Sequence, residues 1–252
     1  MIESRLRRGF TLTELMIVVA IIAAISAMAV PKFMRARLSA NEAAAISTLR
    51  LLSGVQAQVR SLGAIDTDAD GSGEYAYFGE LAGTAPMRIA TGAGPGAGTA
   101  GVDELDPSVI TNAFGTLDAN GYASRSGYYF QMWLPGPTAG VVAGLPEAAG
   151  AGAGGAGGGA PGPGGFPDPD NAEILWGCYA WPVRAGDTGN RVFFVSSEGL
   201  VLQYENRTAT PFSGTANPPD FGEAYTDPAD MASRMRIGVA GGNQSSIWTP
   251  VQ

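Results

Sequence analysis

The chain has 252 residues, with Lys+Arg 15 against Asp+Glu 23, a formal net charge of −8, no histidine and one cysteine, Cys178. Without histidine there is no His general base, no Ser-His-Asp or Cys-His nucleophile and no His-ligated metal. One cysteine excludes an internal disulfide and every multi-Cys zinc or iron–sulfur site. The acidic balance argues against nucleic acid as a partner, because phosphate neutralisation needs clustered Lys and Arg. Gly 37 and Pro 17 predict long loops and low-complexity inserts.

The N-terminus carries the strongest signal. Residues 15–30 (LMIVVAIIAAISAMAV) hold no charge, and from Phe10 to Val30 the one ionisable side chain is Glu14. At about 1.5 Å per residue this run spans the roughly 30 Å hydrocarbon core of a bilayer. Arg5, Arg7 and Arg8 precede it. Positive charge before a first span holds that end in the cytoplasm and predicts that the rest of the chain lies outside. A cleaved secretory signal fits the basic start, yet cleavage near Ala24, Ser26 or Ala27 would leave a new end apolar through Val30. A plain anchor leaves Glu14 unexplained, since a carboxylate within a span is expensive and points to function.

The segment Arg8-Gly9-Phe10-Thr11-Leu12-Thr13-Glu14-Leu15, the apolar run and Pro31 together resemble the signal of type IV pilins and type II secretion pseudopilins. The resemblance covers roughly residues 5–40. It implies that a prepilin peptidase/methyltransferase of the inner membrane cuts between Gly9 and Phe10 and N-methylates Phe10. It implies that Glu14 is the assembly glutamate, that Pro31 is the helix-kinking proline, and that identical or related pilin subunits are partners. The family proposal pairs the glutamate with the new amine of a neighbouring subunit. Because Phe10 and Glu14 are four apart on one helical face, the spacing leaves an intramolecular pair equally open. Removing residues 1–9, with three Arg and one Glu, takes the side-chain charge from −8 to −10. Small residues from Ala20 to Ala29 suit close packing between copies of the helix.

After Pro31, Leu38, Ile46, Leu49, Leu52, Val55, Val59 and Leu62 recur mostly at steps of three or four, which predicts an amphipathic helix. Asn41, Arg50, Gln56 and Arg60 lie off that stripe, and Gly63 supplies a C-terminal stop. Phe10 to Leu62 would measure about 80 Å if continuous.

Residues 66–74 (DTDADGSGE) resemble the first half of an EF-hand loop. Asp66, Asp68, Asp70 and Glu74 are the candidate Ca²⁺ ligands. Tyr77 stands where the closing Glu would be, and a solvated acidic turn explains the same composition.

The remainder predicts antiparallel strands over the helix: Tyr128 to Leu134, a strand within Glu173 to Val183, and a hairpin of Arg191 to Ser196 with Leu200 to Tyr204. The fold class is therefore α+β, a long N-terminal helix packed on a small antiparallel sheet with long Gly/Pro-rich loops. The expected divisions are a leader 1–9, a membrane and assembly helix 10–31, an amphipathic helix 32–63 and a globular domain 64–252. The inserts 92–101 and 136–169 are predicted to be flexible surface linkers. Residues 205–252 are polar, with a short helix expected near Ala229 to Arg236. Cys178 is predicted to be a buried thiol, and Trp133, Trp176, Trp181 and Trp248 core or sheet-face packing.

These features predict a non-enzymatic filament subunit of a type IV pilus or a type II secretion pseudopilus. It would be single-pass in the inner membrane with its C-terminal domain periplasmic, or part of an extracellular filament. A membrane-anchored extracytoplasmic binding module that never polymerises is the alternative. A tethered hydrolase would need paired carboxylates, and the Asp and Glu spacing offers none.

Overall fold

The structure, a computed structural model, describes residues 10–137, 140–147, 165–242 and 244–251. The leader 1–9, including Gly9, and half of the second insert, 148–164, lie outside the described residues.

A single helix, α1 (Leu12–Leu62), runs the length anticipated from the sequence. Thr11 caps its start, and Gly63, with φ 60° and ψ 31°, ends it in the left-handed region that glycine adopts at little steric cost. Pro31 lies inside α1, and the helix continues across it. Nothing in α1 before Ala45 is buried. Beyond that point Ala45, Thr48, Leu49, Leu52, Val55, Gln56 and Val59 form the covered face. Two residues depart from the expected stripe. Leu62, in the last turn, is exposed. Gln56, placed off the stripe, is fully buried: its amide donates to the Ala76 carbonyl at 2.6 Å and accepts from the Ala76 N–H at 3.0 Å. A buried amide is tolerable when both its ends are satisfied in this way.

The remaining elements are short. α2 (Phe78–Leu81) is followed by the hairpin β1 (Arg88–Thr91) and β2 (Gly94–Ala97), then α3 (Asn112–Gly115). The main sheet comprises β3 (Ala123–Arg125), β4 (Tyr128–Pro135), β5 (Gly144–Pro146), β6 (Gly177–Pro182), β7 (Val192–Ser196), β8 (Val201–Tyr204) and β9 (Thr249–Pro250), with α4 (Pro169–Ala172) before β6. Its order is β3-β4-β6-β7-β8-β9, with β5 also paired to β4, and every pairing is antiparallel. The β7–β8 hairpin forms as anticipated, with Gly199 at φ 73° in its turn.

Side chains alternate across this sheet, and both faces are covered. Tyr128, Phe130, Met132, Cys178, Ala180, Phe193 and Val195 pack against Leu49, Leu52 and Val55 of α1. Trp133, Tyr179, Trp181, Val192, Phe194 and Leu202 point the other way, onto Phe212, Ala224, Tyr225, Met231 and Trp248. The polar-looking segment after residue 204 is thus a second layer. Residues 229–236 are turns rather than the expected helix. Asp227 accepts from the Ala229 N–H at 3.0 Å, Asp230 from the Ala232 N–H at 2.9 Å, and the Ser233 hydroxyl donates to the Asp230 carbonyl at 2.7 Å. These local bonds, with Pro228 among them, compete with a helical ladder.

The inserts also differ from flexible linkers, since parts of both are paired or capped. Within the first, Gly94–Ala97 pairs in register with Arg88–Thr91. Within the second, Gly144–Pro146 pairs with β4, and Asp168 caps α4 by accepting from the Asn171 N–H at 3.0 Å. Cys178, Trp176, Trp181 and Trp248 are buried in the core as predicted.

Candidate functional site

The N-terminal half of α1 stands clear of the globular part. Phe10, Leu12, Leu15, Met16, Ile17, Ile21, Ile22, Ile25 and Met28 are all exposed. Apolar surface of this extent is not left in water. Its length and composition suit a membrane span.

At its head, Glu14 closes a capping box with Thr11. The Glu14 N–H donates to the Thr11 hydroxyl at 3.2 Å, while Glu14 Oε2 accepts from the Thr11 N–H and from its hydroxyl, each at 2.8 Å. One carboxylate oxygen is thereby occupied and held at the helix start, where the helix dipole favours negative charge. Among the described residues nothing donates to the other oxygen, Oε1. Glu14 therefore presents a lone acceptor one helical turn from Phe10.

The globular part grips α1 first at Asn41 and Glu42. The Asn41 amide donates to the Thr188 carbonyl at 2.8 Å, and Glu42 accepts from the Asn190 N–H at 2.9 Å beside a looser contact to Arg191 at 3.7 Å. At the other end of α1 the acidic loop folds back over the last turn. Gly73 is required there, because a Cβ would meet the Arg60 carbonyl oxygen at 2.0 Å.

Of the four candidate calcium ligands, the structure brings together three. Carboxylate oxygens of Asp66, Asp68 and Asp70 lie within 4.8 Å of one another, and Asp68 forms a second such group with Asp170 and Glu173 of the α4 segment. The two latter residues were not anticipated, since about a hundred residues of chain separate them from the loop. Desolvation raises Asp68 above its ordinary value, with the charges of Asp70 and Asp66 adding and the Asp70 N–H opposing. Glu173 is raised first by desolvation, then by Asp70, Asp68 and Asp170. Asp66 Oδ2 accepts from the Gly71 N–H at 3.1 Å, whereas its enclosed Oδ1 has no hydrogen-bond partner among the described residues. Clustered carboxylate oxygens of this kind suit a hard cation such as Ca²⁺.

Glu74 is not part of that group. It is buried and bonded to Arg88 at 2.8 Å, and it accepts from the Thr67 N–H at 2.7 Å and from the Thr67 hydroxyl. Arg88 is itself fully buried. Its Nε reaches Glu80 at 3.1 Å and its remaining amino group donates to the Tyr75 carbonyl at 2.5 Å. Two carboxylates and a carbonyl thus satisfy one guanidinium and tie the β1–β2 hairpin to the loop beyond α1. Removing Arg88 would leave two buried carboxylates uncompensated, a change that typically costs about 3–5 kcal/mol. In the sequence Arg88 is a lone cation in a short strand, so nothing local marks it.

Glu147, in the second insert, holds the start of α2. It accepts from the Phe78 N–H at 2.9 Å and the Gly79 N–H at 2.8 Å. Burial pushes its carboxyl up to about 8, against the pull of those two donors and with the nearby Glu80 charge adding.

Residues 4–30 match the family model described as the prokaryotic N-terminal methylation motif. No curated protein and no solved structure matches the chain. Residues 4–30 thus carry a prepilin-type signal of the kind found on type IV pilins and pseudopilins. The chain's α+β architecture, one long N-terminal helix against an antiparallel sheet, is consistent with the pilin fold.

Glu147 yields a pH prediction. Its folded-state value lies above the ordinary 4.5, so between the two values the folded protein holds a proton that the unfolded chain has released. The contribution is complete below about 4.5 and is lost as pH rises through about 8. The melting temperature of the detergent-solubilised chain, followed by tryptophan fluorescence, should fall across that window. In Glu147→Gln, whose amide does not titrate, this part of the decline should be absent; an identical pH profile in the variant would refute the assignment.

Proposed function

We propose that this chain is a structural subunit of a type IV pilus-like or type II secretion pseudopilus filament. A prepilin peptidase cuts between Gly9 and Phe10, Phe10 is N-methylated, and the subunit waits in the inner membrane with its C-terminal domain on the periplasmic side. The apolar half of α1 then exchanges lipid for the same segment of identical or related subunits. The observation that carries this reading is the methylation motif at 4–30 opening a 51-residue helix whose first half is left exposed by the described residues.

The geometry at Glu14 supports a division of labour. Thr11 satisfies Oε2, which lowers the cost of holding a carboxylate at the membrane. Oε1 is left to pair with the amine that cleavage would free at Phe10, on the same chain or on a neighbour. A neighbour's amine makes assembly a charge-pairing event in a low dielectric, where such a pair is strong. Glu14→Ala expressed in its native host should remain in the membrane fraction and disappear from sheared, sedimented filaments. Filaments containing the variant at wild-type level would rule out this role for Glu14.

We also propose that the acidic loop takes Ca²⁺ through Asp66, Asp68 and Asp70, with Asp170 and Glu173 opposite, and without Glu74. The enclosed, unpartnered Oδ1 of Asp66 favours this over a purely solvated turn. Calcium added after chelation should raise the wild-type melting temperature by a few degrees. Asp68→Asn, which removes the residue common to both groups, should lose that response. No calcium response in the wild type would leave a plain acidic turn.

A further inference from the structure

Three cations follow Pro31 with no acid near them: Lys32, Arg35 and Arg37. From Leu15 to Asn41 there is no acidic residue, so no carboxylate stands three or four positions away on α1 to pair with them. All three lie on helix that is exposed on every side, and among the described residues no ion pair involves them. Cations otherwise scarce in this acidic chain are thus gathered, unpaired, at one level of α1.

That level is defined by the helix rise. Counted from Phe10 at about 1.5 Å per residue, the three lie roughly 33, 38 and 41 Å along the axis. With Phe10 at one edge of a hydrocarbon core of about 30 Å, they fall in or just beyond the opposite headgroup layer, within reach of side chains that bend back towards it. Phe33 and Met34 between them are exposed and apolar, as suits this boundary.

Their azimuths point to the kind of partner. At about 100° per residue, Arg35 and Arg37 sit near 300° and 140° from Lys32, so no half of the helix surface holds all three. A folded protein docks on one face of a helix; a headgroup layer surrounds it. We propose that Lys32, Arg35 and Arg37 form a cationic collar that binds the phosphate groups of anionic phospholipids in the outer leaflet of the subunit's membrane. The collar fixes the depth of α1 while the globular domain, negatively charged, is repelled from the same surface. Leaving the membrane for a filament then requires giving up these contacts. The inference rests on α1 spanning a bilayer, as proposed above.

The test uses the full chain in neutral detergent mixed with equal amounts of phosphatidylglycerol and phosphatidylcholine, with bound lipids counted by native mass spectrometry. Each cation near an anionic surface favours the anionic lipid by about fivefold. Wild type should therefore carry phosphatidylglycerol in clear excess, and K32Q/R35Q/R37Q should lose most of that excess while keeping its helical circular dichroism. The leader arginines are the same in both proteins and cancel. R50Q/R60Q, which removes two cations from the far end of α1, should behave as wild type. An unchanged lipid ratio in the triple variant overturns the collar, as does loss of a chain–chain dimer with the ratio unaltered. A chain that stays soluble without detergent overturns the membrane reading itself, a result distinct from either.

Discussion

The structure turns on a surface that the chain cannot bury. From Leu15 to Pro31 α1 carries no charge and is apolar around its whole circumference, and it lies beyond the reach of the sheet, which begins to cover the helix at Ala45. Exposed area of this size is unfavourable in water by an amount no polar contact at Glu14 or Asn41 offsets. The segment suits lipid, and in the proposed assembly it would exchange lipid for copies of itself. Small residues from Ala20 to Ala29 serve both, since lipid accepts them and close helix packing needs them.

The second half of α1 has the opposite problem. It has a face that must be covered, and the globular part covers it. One face of the sheet packs on Leu49, Leu52 and Val55, while the other is sealed by the segment after residue 204. The buried Arg88–Glu74–Glu80 group and the pair of hydrogen bonds between Gln56 and Ala76 lock the connection beyond the helix. Buried polar groups of this kind add direction rather than large net stability, as each must be satisfied completely where it sits.

Much of this was legible in the residues. The helix and its end at Gly63 followed from periodicity and a left-handed stop, and Tyr128–Pro135 and the β7–β8 hairpin from aromatic and β-branched runs between turn residues. The second sheet layer was missed, although a signal existed. Runs such as GCYAWP and VFFVS show no apolar–polar alternation, and a strand buried throughout needs cover on both faces. Residues 229–236 form turns rather than the expected helix because Asp and Ser side chains bond the backbone locally. The inserts hid strands β2 and β5, since glycine-rich composition conceals pairing that depends on a partner strand.

The candidate site was legible in proportion to how local it is. Phe10 and Glu14 are four apart, so spacing alone puts them on one helical face; the Thr11–Glu14 capping box is equally local, yet it emerges only in the structure. The acidic loop was only half readable. Asp66, Asp68 and Asp70 meet as their alternation suggests, but Glu74 is drawn to Arg88, and Asp170 and Glu173 arrive from a remote segment. Charge patterns report which groups are available; the fold decides which of them face the same point.

The most direct measurement is the N-terminal sequence and intact mass of the chain isolated from membranes of cells that contain a prepilin peptidase. The account predicts a first residue of Phe10 bearing one methyl group on its amine. A chain that still begins at Met1, or at any residue other than Phe10, would contradict it.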